Sequence, residues 1–317
     1  MISFRYHIVS IVSVFLALAI GVALGGGPLK GEVDNTLVEQ VESDRKTKAG
    51  LQAEISGLRS TNEFTDTFAR TVAPGLINDA LDGRVVSLVV LPGASQDTVS
   101  TLSDLVTQAG GNVGSTVRAG EGLVDVSKKQ LVEELGSQLL DGTTDVTVAD
   151  DASGYERMGA LIARAIGTTE DGGAAVDETS NSILAGLSTA GLMSPDGELT
   201  ERGSLVLFVA GPGAGDADQK QGTNTIVMSL AQAIDANTDG VVVAGPVDTA
   251  RAGGLIDAIR KDVGAARELS TVDALSRTAG QLVTILALSN QSRDESGHYG
   301  AVDAPDGALP GAIAPPE

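Results

Sequence analysis

Gly211-Pro-Gly-Ala-Gly215 is the stretch of this chain best suited to hold a ligand. It follows the apolar run Leu205 to Ala210, and a glycine-rich turn after a strand can offer backbone N–H groups to a phosphate. The GKS or GKT of a Walker A loop is missing, and so is the GxGxxG spacing. The next helical pattern is expected only from Thr223, too late to aim its N-terminus at the loop. Turn chemistry at a strand end is therefore the first reading. Gly245-Pro246 closes the run Val241 to Ala244 in the same way. Gly211, Gly213, Gly215 and Gly245 would then share the carboxyl edge of one sheet, where open α/β sheets bind ligands. That edge is the candidate ligand site.

Other chemistry is thinly supplied. There are two histidines, His7 and His298, and neither is expected inside the folded domain. A Ser-His-acid triad or a His-based zinc site therefore has no anchor. Asp216-x-Asp218 begins like a calcium loop, but Lys220 takes the next ligand position. Asp150-Asp151 reads as solvated loop acids. Met1, Met158, Met193 and Met228 form no MxxM cluster that would suit Cu(I). No Cys is present, which removes disulfides, thiolate sites and a Cys nucleophile. No catalytic residue, cofactor or metal ligand is assigned, and an interaction protein is expected rather than an enzyme.

The elements that position these residues belong to a chain of 317 residues with a net charge of −21. No basic stripe is available for phosphates, so a nucleic-acid partner is set aside. Aromatics make up 3% and Trp is absent, so Ala, Gly, Val and Leu must do the packing. That suits closely packed α/β layers.

Ile8 to Leu24 carries no charge, and the uncharged run continues to Leu29. About 20 helical residues span a bilayer core, so 8–29 is expected to be a transmembrane anchor. Arg5 and the terminal amine precede it, while Glu32 and Asp34 follow soon after Lys30. The charge bias places residues 1–7 in the cytoplasm and the bulk outside. A cleaved signal peptide ending near Gly21-Val22-Ala23 is the open alternative. Ser13, Ala17, Gly21 and Gly25 recur every fourth position, the spacing that lets two helices approach closely in lipid.

From Leu37 the seam steps by four and three: Leu37, Val41, Asp44, Lys48, Leu51, Ile55, Leu58, Asn62, Thr65, Ala69, Val72. With Val41 and Ile55 at a and Leu37, Leu51 and Leu58 at d, this is the pattern of a parallel two-stranded coiled coil. Asn62 at an a position would fix register. Glu54 and Arg59 suit interhelical pairing, whereas Asp44 and Lys48 weaken the seam. A single helix packed on its own domain is the alternative. Residues 30–73 are expected as a coiled-coil stalk, and Ala17, Gly21, Gly25, Leu37, Val41, Leu51, Ile55, Leu58 and Asn62 as the contacts of a parallel homodimer. Pro74 is expected to break the stalk.

Residues 74–290 then read as a mostly parallel-sheet, Rossmann-like three-layer α/β domain. Val85 to Leu91, Leu205 to Ala210 and Val241 to Ala244 are continuous apolar runs, the mark of buried parallel strands. Weaker strands are expected at Asn112 to Val117 and Leu269 to Val272. Helices are expected at 97–109, 127–140, 155–166, 182–192, 223–236, 250–263 and 279–289. Residues 291–317 are poor in apolar side chains and read as a disordered tail.

The N-terminal MISFRYHIVSIVSVFLALAIGVALG, the strand VVSLVVLPGA and the ending STVD…AGQLVTILAL together resemble the actinobacterial copper-transport outer-membrane protein family, MctB. The likeness covers nearly the whole chain. It implies a role in copper homeostasis, although no ligand residue carries over. Strands that are continuously apolar and separated by helices do not read as membrane-barrel segments. The chain also resembles the envelope partner of a corynebacterial pair in daughter-cell separation, where a membrane protein acts with a septal protein and influences a peptidoglycan hydrolase. The expected function is thus a dimeric, non-enzymatic scaffold on the cell membrane, presenting its domain to an envelope or septal partner. A copper-transport component of the envelope is the second reading. A degenerate enzyme or ligand sensor at Gly211 and Gly245 is the third.

Overall fold

The computed structural model describes residues 4–25 and 29–311, with side chains from residue 38 onward in the second stretch. Residues 1–3, 26–28 and 312–317 lie outside the described residues, as does the side chain of the expected seam residue Leu37. The chain divides into two units, Met1–Phe64 and Thr65–Glu317.

The first unit holds helix α1, Phe4–Gly25, and most of helix α2, Leu29–Ile77. Among the described residues, α1 is the one helix long and apolar enough to cross a membrane. Ser13 meets its hydrogen-bonding need locally, donating to the Val9 carbonyl at 2.8 Å. Ala17, Gly21 and Gly25 are exposed, and nothing lies within 4 Å of a Cβ placed on either glycine. On α2 the seam residues Val41, Leu51, Ile55 and Leu58 are 46%, 54%, 48% and 58% exposed, and Asn62 is exposed too.

The second unit is an α/β domain. In chain order it contains β1 (Val85–Val90), α3 (Gln96–Gln108), β2 (Asn112–Ala119), α4 (Glu121–Val124), α5 (Lys129–Asp141), α6 (Gly154–Ile166), β3 (Ala174–Ala175), α7 (Glu178–Thr189), β4 (Met193–Pro195), β5 (Glu201–Arg202) and β6 (Leu205–Val209). Then come α8 (Ala217–Asp235), β7 (Gly240–Ala244), α9 (Leu255–Lys261), α10 (Ala265–Glu268), β8 (Ser270–Val272), α11 (Thr278–Gln291) and β9 (His298–Tyr299). The main sheet runs β4-β2-β1-β6-β7-β8-β9. Only β4 is antiparallel to its neighbour. The order of the five central strands is that of a doubly wound sheet, with the switch point between β1 and β6.

Alternation along the strands builds two cores. Val86, Leu88 and Val90 face one side with Leu205, Leu207 and Val209, beneath α3, α11 and the end of α2. Val89, Val206, Phe208, Val241 and Val243 face the other, beneath α5, α6, α7 and α8. This two-sided burial explains why these strands are almost continuously apolar, with Ser87 of β1 satisfied by donating to the Ile166 carbonyl at 2.6 Å. α11 is sealed almost along its whole length, from Leu282 to Gln291.

Several expected boundaries are corrected. Pro74 does not end its helix, which continues to Ile77. Ala69, Ala73 and Ile77 form one stripe buried in the domain core, and that packing outweighs the cost of a proline of about 3 kcal/mol. The domain begins near Thr65 rather than at residue 74. Asp66 pairs with Arg277 at 3.0 Å and accepts from the Thr278 N–H at the start of α11. Seam residue Ala69 therefore belongs to the domain's own core. α8 starts at Ala217 instead of Thr223, because Asp216 and Gln219 form a capping box. The expected helix 250–263 is reduced to α9, since Gly253 takes φ +82 just before it.

The expected disordered tail is also corrected. β9 pairs in parallel with β8, and His298 and Tyr299 are buried. The anchor is an ion pair. Arg260 Nη1 lies 3.0 Å from Asp273 Oδ2, with the side chains 7% and 0% exposed. Asp273 also accepts from the Ala301 and Val302 N–H groups at 2.6 and 3.2 Å. Arg260 donates in turn to the carbonyls of Val302 and Tyr299. Gly300, at φ +144, passes so close to Asp273 that a Cβ would overlap the carboxylate.

Replacing Asp273 by Ala leaves the Arg260 guanidinium buried without its counter-charge. Denaturant unfolding of the full chain in detergent is expected to show a loss of about 3–5 kcal/mol, far above the ~1 kcal/mol of an ordinary surface pair.

Candidate functional site

The strand-end edge was the first candidate. The structure brings Gly211 and Gly245 together through Ala210, whose Cβ would sit 3.3 Å from a Cβ on Gly245. Both glycines are buried, whereas Gly213 and Gly215 are exposed. A Cβ on Gly211 would overlap the backbone of Gly93, the residue that turns the chain after β1 at φ +81. The loops after β1 and β6 therefore close on one another at the switch point, backbone against backbone. The Gly245 N–H donates to the Val272 carbonyl, and its own carbonyl accepts from Leu275.

The helix after this loop starts earlier than the sequence suggested, so an anion cradle becomes geometrically conceivable. Its chemistry is against it. The Asp216 carboxylate accepts the Gln219 N–H at 2.9 Å, and the Gln219 amide oxygen accepts the Asp216 N–H at 3.0 Å. A negative side chain already fills the N-cap, where a phosphate would have to sit. This also assigns Asp216 as a cap rather than a calcium ligand.

The opposite edge holds a feature with no local signature in the sequence. A cavity of about 280 Å³ opens near the start of β7. Asp235, Asp239, Glu268 and Asp294 line it, with Arg267 and Gln291. Asp235 Oδ1 accepts from the Val241 N–H at 2.9 Å and stands 3.5 Å from Gln291 Nε2. Burial pushes the Asp235 carboxyl up to about 6, with Glu268 and Asp294 adding to the rise against those two hydrogen bonds. Burial likewise raises Asp239, although Arg84 lies 2.8 Å away. The carboxylates do not converge. Among the described residues, no group of three or more His, Asp or Glu is arranged to hold a metal ion.

His298 is a core residue, contrary to the expectation that it lies in a tail. Its Nδ1 is 2.9 Å from Thr271 Oγ1 and its Nε2 is 3.0 Å from the Ala266 carbonyl. Both ring nitrogens are thus engaged inside the domain. Met158 and Met193 are buried in the core and Met228 packs against it. The Tyr155 hydroxyl is buried without a protein partner.

Comparison with known proteins places the whole chain. The family model described as "Copper transport outer membrane protein, MctB" matches residues 1–310. The Copper transporter MctB of Mycobacterium tuberculosis is 30% identical over 312 residues, 95% of this chain and 96% of its own. The protein of the same name in Mycobacterium leprae is 28% identical over 311 residues, again 95% of this chain and 96% of its own. The chain belongs to the MctB family.

The raised Asp235 carboxyl has a consequence for stability. Because its folded pKa lies above the unfolded value, its favourable contribution is complete below about 4 and is lost as pH rises through about 6. Asp235→Asn removes the charge that burial opposes. It is expected to stabilise the domain by about 1–2 kcal/mol at pH 7.5 and to change little at pH 4.5, as read by denaturant unfolding at the two pH values.

Proposed function

We propose that this MctB family member is a membrane-anchored envelope protein that serves copper homeostasis without forming a pore of its own. The observation that carries the reading is the family match over residues 1–310, together with the name Copper transporter MctB borne by relatives along 95% of the chain. The chemistry of this chain then limits how it can act. Cu(I) wants thiolates or thioethers, and here there is no Cys while three of the four Met lie in or against the domain core. Cu(II) favours imidazole, and both ring nitrogens of His298 are already engaged. The sheet is open and covered by helices, unlike a lipid-facing barrel. Copper movement therefore falls to a partner protein, and this chain contributes by contact.

On this reading α1 anchors the chain with its N-terminus in the cytoplasm, and two copies stand parallel. The support for a dimer is the apolar stripe Val41, Leu51, Ile55 and Leu58, which is half exposed on a single chain at coiled-coil spacing. The usable seam ends before Ala69, which the domain core has taken. Ala17, Gly21 and Gly25 would continue the contact in lipid. A second reading, a dimeric scaffold that presents the domain to a septal partner during cell separation, would use the same exposed stripe for its dimer contact.

Two measurements test this. Cells lacking the protein are expected to accumulate copper, whereas the purified chain binds Cu(I) no tighter than about micromolar by competition titration. A single site well below micromolar would make this chain a direct carrier. Since the chain has no Cys, Ile55→Cys introduces a unique thiol. Oxidation in membranes is expected to give a covalent dimer, and a chain that stays monomeric sinks the parallel pair.

A further inference from the structure

We propose that residues 296–307 form a pH-sensitive latch, closed on the edge of the sheet at neutral pH and released in mild acid, with His298 as its sensor. The attachment is slight in backbone terms. β9 is two residues long and pairs with β8 alone, through the Thr271 and Asp273 N–H groups donating to Gly297 and Tyr299. A strand that short cannot hold an edge by its ladder, so side chains decide whether it stays.

The side chains around His298 fix its protonation state. Nε2 faces the Ala266 carbonyl of α10, which can only accept, so Nε2 carries the hydrogen. Nδ1 faces Thr271 Oγ1 of β8, and that oxygen already accepts from Arg260 Nε of α9 at 3.0 Å. The Thr271 hydroxyl hydrogen therefore points at Nδ1, and the chain Arg260 to Thr271 to His298 to Ala266 runs in one direction. A proton on Nδ1 reverses the middle link and leaves the hydroxyl hydrogen without its acceptor.

The surrounding charges do not welcome that proton. Arg260 stands beside the ring, and its counter-ion Asp273 is occupied by Arg260 and by the N–H groups of Ala301 and Val302. Asp306 is the one carboxylate that favours a charged ring, but it already accepts the His298 N–H at 2.8 Å. Arg267 and Glu268 of α10 line the neighbouring cavity. Burial holds the ring below its ordinary value; the Ala266 carbonyl raises it, Arg260 adds to the fall, and Asp306 raises it again. Released, the ring ionises at about 6.5. The latch's stability is thus complete above that pH and is lost as pH falls towards the folded value. Asp235 acts in the opposite sense on the domain as a whole, so latch and domain respond differently to acid.

Amide hydrogen exchange of the full chain in detergent micelles at pH 7.5 and 5.0 tests the latch, after correction for intrinsic exchange. In peptides spanning 296–303 the opening constant is expected to rise several-fold at pH 5.0, towards the linkage ceiling of about thirty-fold for a ring of pKa 6.5. Peptides of β1 are expected to stay protected. His298→Gln, which cannot be protonated, is expected to abolish the pH dependence. Unchanged exchange at 296–303, equal loss in β1, or pH dependence retained in His298→Gln each overturns the proposal. Should His298→Gln open the latch at every pH, ring NMR of the wild-type chain decides, with His7 the other signal. A His298 ring titrating at about 6.5 or above refutes the sensor, and one titrating clearly lower sustains it.

Discussion

A sheet covered on both faces has no side-chain surface left for chemistry. β1, β6 and β7 are buried at every position, one row of side chains packing under α3 and α11 and the other under α6 and α8. Any function of this domain must lie on the rims of the sheet or on the outer helices. Three of its rims are finished in three ways. The carboxyl rim is closed by backbone contact between the loops of Gly93 and Gly211 and by the Asp216 cap. The amino rim keeps an acid-lined cavity. The lateral rim beyond β8 is covered by β9.

The lateral rim is where the energetics are sharpest. A buried ion pair adds little net stability compared with apolar packing, because desolvation offsets the attraction. Arg260 and Asp273 nevertheless dictate where residues 299–302 go. Once a carboxylate sits fully buried at the end of β8, its unused acceptors demand donors, and the Ala301 and Val302 N–H groups supply them. The pair buys specificity of placement more than strength. His298 then inherits a polar setting that is satisfied in one protonation state only, which is how a short edge strand becomes sensitive to its surroundings.

The strands β1, β6 and β7 were legible in the sequence because burial on both faces makes them almost continuously apolar. The apolar helix α1 was legible from its long uncharged run. What escaped was set by contacts distant in the chain. Pro74 looked like a stop because the stripe Ala69, Ala73 and Ile77 carries no local sign of the core it meets. β9 was missed because two residues, one of them a histidine, make no pattern, and their partners lie 27 residues away at Thr271 and Val272. The candidate site suffered likewise. Gly211 and Gly245 lie close together after β6 and β7, but a glycine that admits a ligand and a glycine that admits another backbone look identical in sequence. Gly211 is of the second kind.

The family is named for copper, and among the described residues no group of three or more His, Asp or Glu is arranged to hold a metal ion. An acidic surface of net charge −21 attracts cations of every kind, and attraction of that sort cannot select one metal. Selection needs softness or fixed geometry, and neither is assembled among the described residues. What the molecule does leave unpartnered is apolar: the stripe of Val41, Leu51, Ile55 and Leu58, and farther along the same helix Phe68, 59% exposed in a chain with five Phe. Exposed apolar side chains of that size carry a hydration cost that burial against another surface would remove.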